Sequence, residues 1–528
     1  SSSSTAPPPG PGTTELEYEL HVDSDTQSAQ GHTQWFYFCV RNGDWRGTVQ
    51  FRIVNLRKKK SLYQQGLQPH CFSVRKRNRG WEHFSCQGVS YTPNSVKAKG
   101  EKPEAGSKAD YNTLTWSYRI DRKDDELYFA AYPPYTYSML YSFLDRLDNH
   151  GGAMPHFRRA ELCRSIGQLP VPLLIVGEDI ARSESDMKLG AEEADRRPRA
   201  KMAVVIIARQ HPGEVVGSWA VQGFLKFLLG PTPAARRLRE EYVFHVVPMV
   251  NVDGVVHGNS RCTLAGVDPN RVWHDPNPIL HPVIFAMKNH LRALSQGLPT
   301  AASGSAGGAV KGIEMFLDLH GHSAKFGCFF YGSNPAAPIN NALFPKLCAL
   351  ISSDLSFEQC HWRCPRSHRK TARYVVYKQF GVKVTYTIEC SLFAPVPQFA
   401  NGDGLRSPES DDGHASANPF ENAHFTPSRV EWVGCTVGRT MAKFLNVDYD
   451  CPVVSSCRWK EGDPEEADDG RNCTCEDNFL LDFSCGKVLA KKPWIHVYAL
   501  EKLSIAQVLE DLTMCYGDVV PDFTRLVR

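Results

Sequence analysis

Residues 203–214 read Ala203-Val204-Val205-Ile206-Ile207-Ala208-Arg209-Gln210-His211-Pro212-Gly213-Glu214, an apolar run that breaks into a polar turn. Six consecutive apolar residues, most of them β-branched, predict a buried strand rather than an amphipathic one. Residues 218–229 follow with helical periodicity, 243–250 form a second apolar strand and 282–294 a second helix; residues 313–319 and 383–388 supply further strands. This alternation predicts an α/β sheet with helices on both faces.

Upstream the pattern changes. From residue 15 to 132, Val49, Phe51 and Ile53 alternate with Gln50 and Arg52, the period of a half-buried strand. The continuous run Trp35-Phe36-Tyr37-Phe38-Cys39-Val40 suits a strand covered on both faces. Turn residues between such runs predict a small antiparallel β-sandwich. Pro133-Pro134 ends it, and residues 137–147 read as a connecting helix. The expected organisation is a disordered stretch 1–14, a β-sandwich domain 15–140, an α/β domain 141–445 and a Cys-rich extension 446–528. Surface insertions are expected near 183–199, 297–312 and 401–418, where Gly, Ser, Ala or charged residues replace apolar ones.

Composition narrows the function. The chain has 528 residues, 42% hydrophobic and 22% charged, which is the mixture of a globular protein with more than one core. No apolar run approaches the roughly 18–20 residues that would span a bilayer. Residues 1–11, rich in Ser, Pro and Gly, do not read as a secretory signal. The 17 cysteines are scattered through strands (Cys39, Cys328) and loops, as reduced intracellular thiols would be. Cys451, Cys457, Cys473, Cys475 and Cys485 crowd together without a C-x2-C pair, so unligated thiols are preferred there over a structural zinc site. A net charge of +3 offers no global attraction to nucleic acid or to an anionic membrane. Locally, Arg57-Lys58-Lys59-Lys60 and Arg75-Lys76-Arg77 read as solvated charged faces, while Arg366, His368, Arg369, Lys370 and Arg373 form a third basic cluster.

The chemistry lies at the strand ends. His211 and Glu214 are three apart, so one turn can aim an imidazole and a carboxylate at a single ion. A later strand delivers His320 at its C-terminal end within Asp318-Leu319-His320-Gly321-His322. Strand C-termini are where α/β sheets place their sites. Two His and one Glu leave a fourth zinc position open, the arrangement of a catalytic rather than a structural site. Between these segments stand Asn259-Ser260-Arg261 and Gly266-Val267-Asp268-Pro269-Asn270-Arg271-Val272-Trp273. Arginine takes a carboxylate bidentately and a neighbouring Asn adds neutral donors.

In their order, H-P-G-E, N-x-D-G (Asn251-Val252-Asp253-Gly254), G-V-D-x-N-R-x-W and a late strand-end His resemble the metallocarboxypeptidases. Gly31-His32-Thr33-Gln34-Trp35-Phe36-Tyr37-Phe38, Ser61-Leu62-Tyr63 and Pro133-Pro134-Tyr135-Thr136-Tyr137-Ser138 look like the β-domain of the cytosolic carboxypeptidase branch. The resemblance implies a mixed-sheet α/β metallocarboxypeptidase domain behind the β-sandwich. It implies one zinc ion on His211, Glu214 and His320, with Asp268 orienting a zinc-bound His. Arg261 would stabilise the oxyanion, Asn270 and Arg271 would hold the substrate α-carboxylate, and Glu389, within Thr387-Ile388-Glu389-Cys390-Ser391, would be the general base. Arg373 would meet a glutamate side chain, the alternative being a mere surface cation. The capping tyrosine of digestive relatives stays open between Tyr374, Tyr377 and neither. The branch acts on C-terminal or branch glutamates of polyglutamylated proteins, tubulin above all, which implies a cytoplasmic site of action, at microtubules or cilia. Two other readings remain: an aspartoacylase-like zinc deacylase, and a catalytically silent module that binds acidic tails. No nucleic-acid motif is present.

Overall fold

The computed structural model describes residues 15–28, 31–94, 111–149, 156–178, 180, 200–298, 310–333, 338–397 and 424–445. The expected disordered N-terminus, the insertions 183–199 and 401–418, most of 297–312 and the Cys-rich extension lie outside these residues.

Seven strands build the N-terminal part: β1 (Glu15–Leu20), β2 (Tyr37–Arg41), β3 (Gly47–Leu56), β4 (His70–Ser73), β5 (Gln87–Pro93), β6 (Asn112–Ile120) and β7 (Glu126–Ala130). They form a four-stranded sheet in the order β1-β3-β6-β5 and a three-stranded sheet in the order β2-β7-β4. Between the sheets Phe51 of β3 packs on Trp116 of β6 (5.3 Å) and on Phe129 of β7 (5.0 Å). All three are buried, so the alternation read in β3 faces a real core.

One expectation fails here. β2 is an edge strand, not one covered on both faces: Phe36 is buried, but Tyr37 is 48% exposed and rests on Tyr128 and Trp81 along the outside. Aromatic residues suit half-buried pleated surfaces, so an unbroken aromatic run does not require two-sided burial. The sandwich is antiparallel apart from its edge strand β1, which joins β3 in parallel register from Glu15 opposite Thr48 to Leu20 opposite Ile53.

The second part continues with α1 (Tyr137–Asn149), β8 (Phe157–Arg164), β9 (Pro170–Val176), β10 (Lys201–Ala208), α2 (Val216–Leu229), α3 (Pro233–Glu241), β11 (Tyr242–Val247) and α4 (Val252–His257). After these come α5 (Pro282–Ser295), β12 (Val310–His322), β13 (Cys328–Tyr331), α6 (Pro338–Ile351), α7 (Ala372–Phe380), β14 (Val384–Ser391) and α8 (Pro427–Phe444). The sheet order is β13-β14-β12-β10-β11-β9-β8. Pairing is parallel among β14, β12, β10 and β11 and antiparallel at both edges, so the sheet is mixed. β12 is buried almost throughout, with α2 and α5 both packed on it. That is the burial expected of a central parallel strand between helical layers. The neighbours β10, β12 and β14 run the same way and deliver their C-terminal ends side by side.

Trp35 joins the two parts, packing against both cores. Leu62 and Leu67 meet Phe393 and Ala394 in a smaller apolar cluster across the same boundary.

Candidate metal centre

β10 stops at Ala208 because Arg209 turns the chain with φ +59°, a left-handed conformation that costs an L-residue free energy. Buried hydrogen bonds hold it there: Arg209 Nε donates to Pro212 O (2.7 Å) and Nη1 to Tyr135 O (3.1 Å) and Ser218 Oγ (2.9 Å). Gly213 is required by close approach, since a Cβ would lie 2.9 Å from Ser260 O and 3.3 Å from Trp35 Cβ. The turn aims His211 and Glu214 at the end of β12, where His320 waits.

The donors converge. His211 Nδ1 lies 2.8 Å from Glu214 Oε1, His320 Nδ1 2.9 Å from Glu214 Oε2, and the two Nδ1 atoms are 3.1 Å apart. Tetrahedral ligands on zinc, at ~2.0–2.1 Å from the ion, sit about 3.3 Å apart, so the three fit one zinc ion. Each ring is fixed from behind: His211 Nε2 is 3.0 Å from Asp268 Oδ1 and His320 Nε2 2.9 Å from Asp318 Oδ2. A carboxylate behind each imidazole sets its tautomer and orientation. Burial alone would raise the Glu214 and Asp268 carboxyls; the histidines, joined at Asp268 by Arg261 and Arg271, instead hold both well below the usual range.

The backing of His320 was not legible beforehand. Gln210 donates to Asp318 Oδ2 (2.7 Å) and accepts from Trp273 Nε1 (2.8 Å), so the buried Trp of G-V-D-P-N-R-V-W steadies the carboxylate that steadies the ligand. Only the D-L-H spacing hinted at it.

Glu389 pairs in register with His320 across β12 and β14. Its carboxylate has no hydrogen bond or ion pair among the described residues, and burial pushes it up to about 7. Arg261 grips Asp268 through Nε and Nη2 (both 2.7 Å), while its Nη1 stays 3.8 Å from Glu214. Arg271 is the more open arginine, with Nη1 on Asn270 O (2.9 Å) and 4.0 Å from Asp268. Asn270 is buried, its Oδ1 accepting from Ala372 N (2.8 Å) and its Nδ2 lying 3.3 Å from His320. Its Oδ1 is thus held by the backbone of Ala372, while Nδ2 faces an Nε2 that already donates to Asp318.

Arg373 is no surface cation. It is 5% exposed, donating to Gly332 O (3.2 Å) and Thr387 Oγ1 (3.3 Å) and lying over the Tyr331 ring. Among the described residues no carboxylate pairs with it. Burial, then Arg271, Arg373 and Arg261, lower the pKa of His368, so the three arginines share one neighbourhood. Tyr374 and Tyr377 are half-buried on α7 with rings 6.4 Å apart, and no bond links Tyr374 to the centre.

The N-terminal part reaches into the site, which the sequence reading missed. Asp25 accepts from the backbone N–H of Ser260 (2.6 Å), Arg261 (2.7 Å) and Cys262 (2.6 Å), clasping the loop that carries Arg261. Ser260 Oγ accepts from Gln34 N and Trp35 N, and Ser260 O from Gly213 N. Each buried N–H left without a partner costs about 1–3 kcal/mol. Asp25→Ala is therefore expected to release the Arg261 loop. A displaced catalytic group costs on the order of 10²-fold. The expected result is that fall in kcat/KM with parental zinc content by elemental analysis; parental kcat/KM would remove Asp25 from this role.

The basic run 57–60 also departs from expectation. Lys59 and Lys60 are exposed, but Lys58 turns inward and its Nζ donates to Ser323 Oγ beside the centre. It lines a cleft together with Gln34, Ser61, Glu214 and Arg261. The run is thus only partly a solvated face, because β3 ends at the domain boundary and aims its next residues across it.

Residues 161–395 match the family described as zinc carboxypeptidase, and residues 11–132 match the cytosolic carboxypeptidase N-terminal domain. Cytosolic carboxypeptidase 1 of Danio rerio is 34% identical over 400 residues, which cover 71% of this chain and 32% of the relative. Cytosolic carboxypeptidase 4 of Homo sapiens is 34% identical over 396 residues, covering 71% and 34%. Cytosolic carboxypeptidase 2 of Danio rerio is 34% identical over 383 residues, covering 71% and 48%. The chain thus spans about a third to a half of the length of these relatives. Among solved structures, a metallo-carboxypeptidase from Burkholderia cenocepacia superposes with TM-score 0.56 at 23% identity, over 80% of this chain and 91% of that one. One from Pseudomonas aeruginosa gives 0.56 at 19%, over 82% and 94%; both likenesses concern the fold. No described helix is long and apolar enough to cross a membrane.

Proposed function

We propose the activity of this chain from one premise: it belongs to the zinc carboxypeptidase family through residues 161–395, with the cytosolic carboxypeptidase N-terminal domain ahead of them at residues 11–132. The activity is zinc-dependent hydrolysis of C-terminal or branch glutamates on polyglutamylated protein tails, tubulin's among them. The site of action is the cytoplasm, in keeping with relatives whose names call them cytosolic.

When bound, zinc supplies the Lewis acidity that polarises a carbonyl and acidifies water. The chain's own residues do the rest. Glu389, whose carboxylate has no hydrogen bond among the described residues, takes a proton from the attacking water and hands it to the leaving amine. Arg261 presents Nη1 toward the oxygen that gains negative charge, its other nitrogens being held by Asp268. Arg271, the most open of the three arginines, takes the α-carboxylate that every substrate carries.

The glutamate preference is carried by one observation: Arg373 is a buried cation with only neutral partners among the described residues. A buried charge is costly unless paired, and a glutamate γ-carboxylate is an anion of the right size to pair it. The other basic candidates, Lys370 and Lys383, are exposed.

Peptides ending in Glu and in Gln differ in charge but hardly in size, so their kcat/KM ratio reads this contact. A charge-assisted hydrogen bond is worth about 1.5–3 kcal/mol, on the order of ten- to a hundredfold in relative rate. The parent should favour Glu by that factor. Arg373→Ala should erase the advantage, while Arg271→Ala should slow both peptides. A parent that prefers Gln or an apolar end overturns the glutamate reading and leaves a zinc carboxypeptidase of other specificity.

A further inference from the structure

The cleft between the two domains holds a second cation without an ion-pair partner among the described residues, on the other side of Glu389 from Arg373. Arg373 bonds to Thr387, two residues before Glu389 on β14; the interdomain cleft is lined by Leu392, three residues after it. A strand rises about 3.3 Å per residue, so the two cations straddle the base. A substrate whose last residue sits by Arg373 and whose scissile bond lies at Glu389 sends its upstream residues into this cleft.

Lys58 is built to face it. Its backbone carbonyl accepts from the Tyr91 hydroxyl and from Asn112 Nδ2 (3.2 Å), anchoring the residue just beyond the end of β3. Its Nζ reaches Ser323 Oγ, which also accepts from Gln34 Nε2 at 2.8 Å. Among the described residues no carboxylate lies within ion-pair distance of Lys58. Glu214 and Glu389 act on it only at longer range, and Glu214 is taken up by the metal centre. The cleft is open to solvent, and Gln34, Ser61, Glu214 and Arg261 line it beside Lys58.

We propose that Lys58 is a specificity-determining residue, binding the side-chain carboxylate of an acidic residue immediately upstream of the scissile bond. The N-terminal domain thereby contributes part of the substrate site, and the enzyme reads two successive acidic residues, one on each side of the bond it cuts. This rests on the glutamate-removing reading above, because that reading orients the substrate.

The test uses two peptides that both end in Glu and carry Glu or Gln as the penultimate residue. The parent is expected to favour the Glu-Glu end about tenfold in kcat/KM, as one charge-assisted contact would give. Lys58→Met should bring the ratio near one, and Lys58→Arg, which keeps the charge, should retain most of it. Both peptides meet the same preparation, so a loss of folded enzyme cancels in the ratio and a merely structural role for Lys58 would not move it. Equal rates on the two peptides in the parent, or a preference that survives Lys58→Met, overturn the proposal alone. Failure of the parent to release glutamate from either peptide overturns the underlying reading and this proposal together.

Discussion

Glu389→Gln is expected to lower kcat by ~10²–10⁴-fold, the range of general acid–base catalysis, while peptide binding persists. The substitution keeps the side chain's shape on β14 and removes only its capacity to take a proton. Among the described residues, the other carboxylates of the centre are already engaged. Glu214 is turned onto both histidines, Asp268 onto His211 and Arg261, and Asp318 onto His320. In the proposed function Arg271 and Arg373 would still hold the substrate's carboxylates, so KM or an inhibitor Kd should change little. The pH profile supplies an independent check. Burial pushes the Glu389 carboxyl up to about 7, and activity needs the ionised form. Activity is therefore present above the pKa and lost as pH falls through it. Positive charge held on the three donors favours the carboxylate, which sets this acid limb at or below pH 7. Near-parental turnover by Glu389→Gln would move the base elsewhere.

Loss of a metal donor should be as severe. In His211→Ala or His320→Ala, two donors remain of the three that converge, and zinc content should fall well below one ion per chain, with activity at background. Chelation of the parent should do the same, and added zinc should restore it. Asp318→Asn tests the network behind the donors. Partners of that kind typically contribute 10–100-fold in metal affinity or activity, so this variant should bind zinc more weakly yet recover at excess zinc, which the donor variants should not. A parent free of transition metal and fully active would dismiss the zinc centre.

Much of the centre was legible because it is local. H-x-x-E is one turn, and an apolar β-branched run ending in His is one strand end; both depend on spacing that survives whatever the rest of the chain does. The β-α alternation likewise reads from period alone. Face coverage did not: the run Trp35–Val40 looks the same whether one face or two are covered, and only the structure shows Tyr37 and Cys39 exposed while Phe38 and Val40 pack on the core. Arg373 could be read as pocket or surface from the sequence, and its 5% exposure decides between them.

By itself, then, the sequence determined the α/β domain and its strand-end donors, since these follow from periodicity and from residues within one turn. Only the tertiary structure decided what surrounds those donors. Asp25 meets Ser260–Cys262 across 235–237 positions, and Lys58 meets Ser323 across 265. Such contacts exist because Trp35 and the Leu62–Phe393 cluster bury apolar surface between the two domains and thereby set polar groups opposite one another. A linear pattern carries no record of which surfaces will be pressed together, so a basic run read as solvated supplied a cation to the active-site cleft.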